Sequence, residues 1–448
     1  MIFYWDSPDL ENFCQPGWWD GKFNLKNRRD KFLEMLNTHR TDVIGDTYDE
    51  PGVWYIQYKD ILMSLVDATD PDVGGKTTIL ANAIPDKVWQ GIRDNKLLLV
   101  IDNSLEGQDL CDEHVQDFHE VIDSLDIPAG RIIIITGAWL SESTYIKQCQ
   151  KLDLKPQLHF VPWQTLPSLD TQLDARHDNN YWPILKALDN PNSKDFLSLN
   201  QTVKPHRTEH VYYCVINDLI DKGLFNASLM RRGQWQDYNY RDDPEGLCTY
   251  NTDKHHWELL VELHRLLPLH ADHDLTHKTD TDLPGTLGMY STELYEKTLL
   301  SFITESEYHQ ETTFVTEKTY KTLLAGHPFI ILGNCGSIAH LNAQGFRTDL
   351  CGIDHSYDTE SDHIKRFHLA HDELKRWINT DIKEKRELIH RDIHKFRYNR
   401  RLCEEKLYYP FTPEDYTESN PKILQTLVHQ EVDNIRLFLE TKLVDLIV

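Results

Sequence analysis

The chain has 448 residues, enough for two or three domains at about 150 residues each. Its 72 acidic residues outweigh 47 Lys and Arg, and the net charge of −25 excludes a general phosphate-backbone binder, which needs a basic face. With 40% apolar and 10% aromatic residues the chain is folded, not disordered.

The first 90 or so residues carry little pattern beyond a predicted helix at Arg28–Thr38 and a strand at Val53–Tyr58. From Lys96 the pattern sharpens. Leu97–Ile101 is a continuous apolar run of strand length, as a strand covered on both faces requires. Asp109–Leu125 follows as an amphipathic helix, Arg131–Thr136 as a second buried strand, Ser141–Lys151 as a helix and Leu158–Val161 as a third strand. Strand, helix and strand in alternation predict a parallel, helix-covered sheet. These runs are strand-sized and flanked by charge, so no membrane span is expected. Met1–Asp6 has no basic n-region or apolar h-region, and no secretory signal is expected. The 8 Cys include no CxxC pair, which argues against a disulfide framework or zinc ribbon and predicts a reducing cytoplasm, where the sequons at Asn200 and Asn226 carry no weight.

Asp189-Asn190-Pro191-Asn192-Ser193 is turn-rich and central, and reads as a linker. The pattern then restarts: a strand at Phe196–Asn200, a helix at His206–Lys222 ended by Gly223, a short strand at Ser228–Arg231, a helix at Tyr290–Ser301 and a strand at Phe302–Thr304. Thr316–Ala325 reads as a helix with Thr316 at its N-cap and Gly326 just past its end. A buried strand at Phe329–Leu332, a Gly-flanked turn and a helix at Ser337–Gln344 follow, then a charged helical stretch from His363 to Glu405 and an amphipathic helix at Pro421–Val448. The expected organisation is therefore α/β, with an N-terminal domain at 1–190, a C-terminal domain at 191–420, and a final helix at 421–448 packing back on the first.

Chemistry concentrates between Leu300 and Gly345. Glu305 closes a strand, and Thr316-Glu317-Lys318 opens a helix. The first turn of a helix favours an anion through its amides and dipole, and Lys318 adds a full charge there. A carboxylate such as Glu317 suits vicinal hydroxyls rather than phosphate. The pattern fits a nucleotide, with ribose on the acid and diphosphate on Lys318 and the helix end; an ordinary capping motif stays open beside it. Gly333-Asn334-Cys335-Gly336 offers a second close backbone approach. Gly74-Gly75-Lys76-Thr77 imitates a phosphate loop, but Asp70 stands where its leading Gly belongs.

The run Val315-Thr316-Glu317-Lys318-Thr319-Tyr320-Lys321-Thr322-Leu323-Leu324-Ala325-Gly326-His327-Pro328-Phe329-Ile330-Ile331-Leu332-Gly333 resembles the donor-binding signature of the α-1,3-fucosyltransferase family. Phe302-Ile303-Thr304-Glu305-Ser306 resembles that family's F-x-E-N-S string, with Ser306 in place of Asn. Closer still is the likeness to glycosyltransferase-like proteins of large bacteriophages, shared also by Phe196–Asn200 and Lys204-Pro205-His206-Arg207. The likeness covers about 150 residues of the second half and, weakly, Leu97–Thr136; it says little about 1–90 or 360–448. It implies a GT-B architecture: two Rossmann-like domains facing across a cleft, with a nucleoside-diphosphate sugar held by the second. It further implies that Lys318 and Arg207 hold the diphosphate and that Glu317 touches the ribose, and it leaves Glu305 either contacting the transferred sugar or ordering the turn.

Inverting sugar transfer also needs a base at the acceptor hydroxyl. Glu106 is preferred and Asp102 is second, since both follow the strand Leu97–Ile101; a turn residue and a solvated Glu are the plain alternatives. His255, His256, His270, His273 and His277 tempt a metal reading, but Pro268 and the neighbouring acids make that stretch a loop. The GT-B resemblance implies no cofactor and no metal, since in such enzymes cations and a helix dipole hold the departing diphosphate. The expected partner is a nucleotide sugar; the acceptor (modified DNA base, glycan or protein) stays open. Rival readings are a dinucleotide-using α/β enzyme, disfavoured by the missing GxGxxG, and a nucleotide-binding module without turnover.

Overall fold

The computed structural model describes residues 2–5, 39–42, 52–57, 84–103, 112–162, 182–200, 204–227, 230–231, 234–235, 269–270, 292–408, 434–442 and 444. The predicted helix at Arg28–Thr38 and the Gly74–Thr77 turn lie outside them. The chain divides into two compact units. The first comprises Met1–Thr165, Gln310–Phe314 and Tyr408–Val448, and the second Leu166–His309 and Val315–Leu407. The turn at Asp189–Ser193, read from sequence as a linker, therefore falls inside the second unit, where Ser193 N donates to Asn190 O at 3.1 Å.

The first unit holds β1 (Ile2–Trp5), β2 (His39–Asp42), β3 (Gly52–Gln57), α1 (Asp86–Arg93), β4 (Leu97–Asn103), α2 (Asp112–Ser124), β5 (Ile132–Thr136), α3 (Ser141–Lys151) and β6 (Leu158–Pro162). Among the described residues its six strands are all parallel, in the order β2-β1-β3-β4-β5-β6. Every side chain from Leu97 to Ile101 and from Ile132 to Ile135 is buried, so alternate residues are covered on both faces, as their unbroken apolar runs require. Trp54, Trp89, Phe118 and Tyr145 fill the core around them. Gln310–Phe314 joins this unit through a reciprocal pair of backbone bonds, Trp139 N to Thr313 O at 2.8 Å and Thr313 N to Trp139 O at 3.1 Å. Of the predicted final helix, residues 434–442 are described and helical; Leu439 is buried, and the Phe438 ring stands edge-on to His159 at 5.8 Å.

In the second unit lie α4 (Pro183–Asp189), β7 (Phe196–Asn200), α5 (Pro205–Ile216), β8 (Gly223–Ala227), β9 (Met230–Arg231), β10 (Gln234–Trp235), β11 (Leu269–His270), α6 (Thr292–Tyr295), β12 (Ser301–Thr304), α7 (Glu317–Ala325), β13 (Phe329–Leu332), α8 (Ser337–Ala343), α9 (His363–Asn379) and α10 (Ile382–Tyr408). Its main sheet runs β11-β8-β7-β12-β13, parallel except for β11.

Two helices are shorter than their patterns predict. α5 stops at Ile216 because Asp218 takes a left-handed backbone (φ 55°), and Gly223 opens β8 instead of ending the helix. A Cβ on Gly223 would lie 2.6 Å from the Phe196 ring and 2.8 Å from Phe225. The helix expected at Tyr290–Ser301 is the short α6; Ser301 already pairs with Leu197 and Phe329 in the sheet. α7 ends as predicted, at Gly326 with φ 68°.

Strand order places the second unit's site. The chain leaves β7 for β8 on one side, then enters β12 on the other side of β7. That reversal is a topological switch point, where loops after neighbouring strands diverge and leave a crevice at the strands' carboxyl ends. α5 follows β7 and the Glu305 turn follows β12, so both leave the sheet at this point.

Candidate functional site

Thr304 ends β12 inside a buried chain of hydrogen bonds. Its hydroxyl donates to Asn200 Oδ1, Asn200 Nδ2 to Ser198 Oγ at 2.7 Å, and Ser198 Oγ lies 2.9 Å from His210 Nε2. His210 Nδ1 lies 2.9 Å from His371 Nε2, and His371 Nδ1 lies 2.8 Å from Phe367 O. The carbonyl can only accept, which fixes the proton on His371 Nδ1. His371 Nε2 then accepts from His210 Nδ1, and His210 Nε2 accepts from Ser198. The chain is complete with both imidazoles neutral, and burial holds both pKa values down, His371 to about 3. It ties α5 and α9 to the ends of β7 and β12.

One residue beyond Thr304, Glu305 is wholly buried. Its carboxylate accepts from Thr316 N at 3.1 Å, Thr316 Oγ1 at 2.5 Å, Thr319 Oγ1 at 2.5 Å and Ser306 N at 3.3 Å. Glu305 thus orders the Thr-Glu-Lys turn, one of the two roles left open by sequence. Thr316 stands at the N-cap of α7, but its hydroxyl serves Glu305 instead of capping the helix.

Lys318 Nζ donates to Thr316 Oγ1 at 3.1 Å, to Ser306 Oγ at 3.2 Å and to Glu317 Oε1 at 2.9 Å. Burial raises the Glu317 pKa, but Lys318 and Lys321 outweigh it and carry the carboxyl down to about 2. Lys321, buried in α7, is lowered to about 8, by burial first.

Arg207 enters from the first turn of α5 and is 4% exposed. Its Nη2 donates to Glu305 O at 3.0 Å, and His206 Nε2 lies 2.9 Å from the same carbonyl. The Arg207 guanidinium is supported electrostatically by Glu305, Glu317 and Glu307, against the burial that lowers its pKa. Just before it, Lys204 Nζ donates to Glu307 Oε1 at 2.8 Å and also to Ser306 O. Tyr308 pins the same turn: its ring stacks on His206 with centroids 5.2 Å apart, its hydroxyl donates to His363 O at 2.6 Å, and Arg366 Nη2 donates to its carbonyl at 2.8 Å.

Arg207, Glu305, Thr316, Glu317 and Lys318 are therefore brought together. Gly333 and Gly336 are nearby but play another part. A Cβ on Gly333 would stand 2.9 Å from Ser337 Oγ and 3.3 Å from Glu305 Cβ, so its smallness seats Glu305. The expected second backbone approach is closed from within: Asp358 accepts from Ile338 N at 3.0 Å and Ala339 N at 3.1 Å, and its carbonyl takes Gly336 N at 2.9 Å. Asp102 lies in β4, in register with Gln57 and Ile135, near the strand's carboxyl end. Its side chain, all of Glu106, and the histidines at 255, 256, 273 and 277 lie outside the described residues, and for His270 only the strand backbone is described. Among the described residues no group of three or more His, Cys, Asp or Glu could hold a metal, and no helix is long and apolar enough to cross a membrane.

The sequence assigns no role to Lys204, although it stands in the Lys204-Pro205-His206-Arg207 string, and none to Glu307. The available signal was position: Lys204 directly precedes Pro-His-Arg at a helix start, and Glu307 follows Glu305-Ser306.

No protein-family model matches the chain, and no curated protein matches its sequence. Among solved structures it is similar to a UDP-forming α,α-trehalose-phosphate synthase of Burkholderia vietnamiensis, at 9% identity and TM-score 0.38, covering 84% of this chain and 76% of that one. Similar too are those of Burkholderia xenovorans (8%, TM-score 0.39, covering 86% and 74%) and Burkholderia multivorans (9%, TM-score 0.37, covering 84% and 74%).

Proposed function

We propose that this chain is a glycosyltransferase that moves a sugar from a nucleoside-diphosphate donor to an acceptor hydroxyl. One observation carries the reading: Lys318 and Arg207, from helices α7 and α5, converge on the single turn Glu305-Ser306 at the switch point of the second sheet. The resemblance of Val315–Gly333 to the α-1,3-fucosyltransferase donor signature supports it.

Departure of a nucleoside diphosphate builds negative charge on its phosphate oxygens. Fixed cations lower that barrier because they need no reorganisation when the charge forms. Lys318, partly exposed and held by three acceptors, would meet the phosphate directly. Arg207, nearly enclosed, would add its charge from behind the turn. Glu317, ionised through most of the pH range, would accept two ribose hydroxyls. Asp102 or Glu106 would take the acceptor proton, with inversion at the anomeric carbon and no metal in the transfer step. Donor sugar, nucleotide base and acceptor are open, and the proposed setting is cytoplasmic, in the host if the chain is phage-encoded.

The test is binding and transfer with a panel of UDP- and GDP-sugars, comparing wild type with Lys318→Ala and Arg207→Ala. The expected outcome is donor binding by wild type, weakened at least tenfold in Lys318→Ala. Equal binding by all three proteins would reject the site. Tight nucleotide binding without sugar release across acceptors would instead identify a binding module.

A further inference from the structure

Lys204 repeats on Ser306 the arrangement that Lys318 makes. Each ammonium donates to Ser306, Lys318 to its hydroxyl and Lys204 to its carbonyl. Each is also paired with a carboxylate, Lys318 with Glu317 at 2.9 Å and Lys204 with Glu307 at 2.8 Å. Exposure is similar: 24% for the Lys318 side chain and 32% for Lys204. Arg207 lies behind them, 4% exposed, with its guanidinium on Glu305 O.

The two carboxylates differ in what else they could serve. Glu317 sits in the first turn of α7, where a carboxylate is favoured by the helix dipole. Glu307 lies in a turn that is already anchored on both sides of it. Glu305 receives His206 and Arg207 on its carbonyl, and Tyr308 is held by His206, His363 and Arg366. The Lys204–Glu307 pair is thus added to a turn that other contacts already hold. It neutralises a partly exposed ammonium that, like Lys318, donates to Ser306, and Glu307 also supports Arg207 electrostatically.

We infer that Lys204 is the second phosphate-contacting cation of this site and that Glu307 is its internal stand-in, holding the ammonium until a diphosphate displaces the carboxylate. This rests on the transferase reading and deepens it. No bond is made or broken in the exchange; one anionic partner of Lys204 replaces another. An ordinary surface ion pair would give small, same-direction effects from either truncation. A competing carboxylate gives effects of opposite sign.

The experiment measures Kd for UDP, GDP and inorganic pyrophosphate by calorimetry on the full chain, with wild type, Lys318→Ala, Lys204→Met, Lys204→Arg, Glu307→Gln and the Lys204→Met/Glu307→Gln double variant. Far-UV circular dichroism and thermal midpoints report folding. Expected are a roughly tenfold weakening in Lys204→Met, retention in Lys204→Arg, and a severalfold tightening in Glu307→Gln that vanishes in the double variant. Unchanged binding in folded Lys204→Met overturns the assignment. So does a Glu307→Gln gain that survives in the double variant, since removal of any nearby negative charge would then explain it. If Lys318→Ala weakens binding and Lys204→Met does not, only the Lys204 role falls. If wild type binds none of the three probes, the transferase reading falls and takes this inference with it.

Discussion

Glu305 is the residue on which the turn depends, because its carboxylate is wholly buried and gathers four donors from Ser306, Thr316 and Thr319. Glu305→Gln keeps the shape and replaces one acceptor oxygen with a donor amide, which faces groups that themselves donate. A loss of about 1–3 kcal/mol is expected in urea unfolding, since a buried donor is left unsatisfied. Nucleotide binding should weaken with it, because Lys318 is aimed through Thr316. Unchanged stability and binding would show that the turn holds itself. Much of this is legible in sequence: Glu305, Thr316, Glu317 and Lys318 stand out by residue type at a strand end and a helix start, and Arg207 enters through the family resemblance. Direction is not. Whether Glu305 faced a ligand or the protein depends on Thr319 and on the smallness of Gly333, and neither is visible as a charge or a spacing.

Elements came through the sequence where their burial is uniform. Leu97–Ile101 and Ile132–Ile135 are covered on both faces, so an unbroken apolar run names them. The predicted lengths of α5 and α6 exceed the observed ones because tertiary structure sets their ends: Asp218 takes a left-handed backbone just beyond Ile216, and Gly223 and Ser301 are strand residues packed against Phe196 and Leu197. Gly223→Ala should therefore destabilise by about 1–3 kcal/mol through overpacking on the two phenylalanine rings. A similar cost is expected for Gly326→Ala at the end of α7, where φ is 68° and a Cβ would stand 2.9 Å from the Trp182 ring. Thermal midpoints read both, and a midpoint equal to wild type in either variant would contradict the close approach. The Gly333–Gly336 turn is ambiguous in sequence for a related reason: a glycine after a buried strand signals close approach without saying whose. Here the approaching groups are Ser337, Glu305 and Asp358.

At the scale of the molecule, charge and burial set a pH dependence. His206, His210, His327 and His371 are all buried, and burial depresses each pKa, to about 4 for His327 and about 3 for His371. In the unfolded chain each titrates near 6.5. Above about 6.5 neither state is protonated and these groups cost nothing; as pH falls below it, the unfolded chain takes up protons that the folded chain refuses. Each histidine then lowers stability by at most about 1.4 kcal/mol per pH unit. The urea midpoint should thus fall between pH 7 and pH 5, above the range where ordinary carboxylates titrate. A flat midpoint over that interval would mean that these imidazoles accept protons in place. The tandem α/β pattern is legible from strand-helix alternation, whereas the assignment of Gln310–Phe314 to the first unit is not, because it rests on tertiary contacts such as the backbone bridge to Trp139 and the Glu311–Lys147 ion pair. The claim that joins all scales is that the turn Glu305-Ser306 gathers cations for a diphosphate. Its most direct measurement is calorimetric titration of wild type and Lys318→Ala with UDP and GDP at one ionic strength. At least one nucleotide should bind wild type and bind Lys318→Ala at least tenfold more weakly with the fold intact; equal affinity in the two proteins would contradict the account.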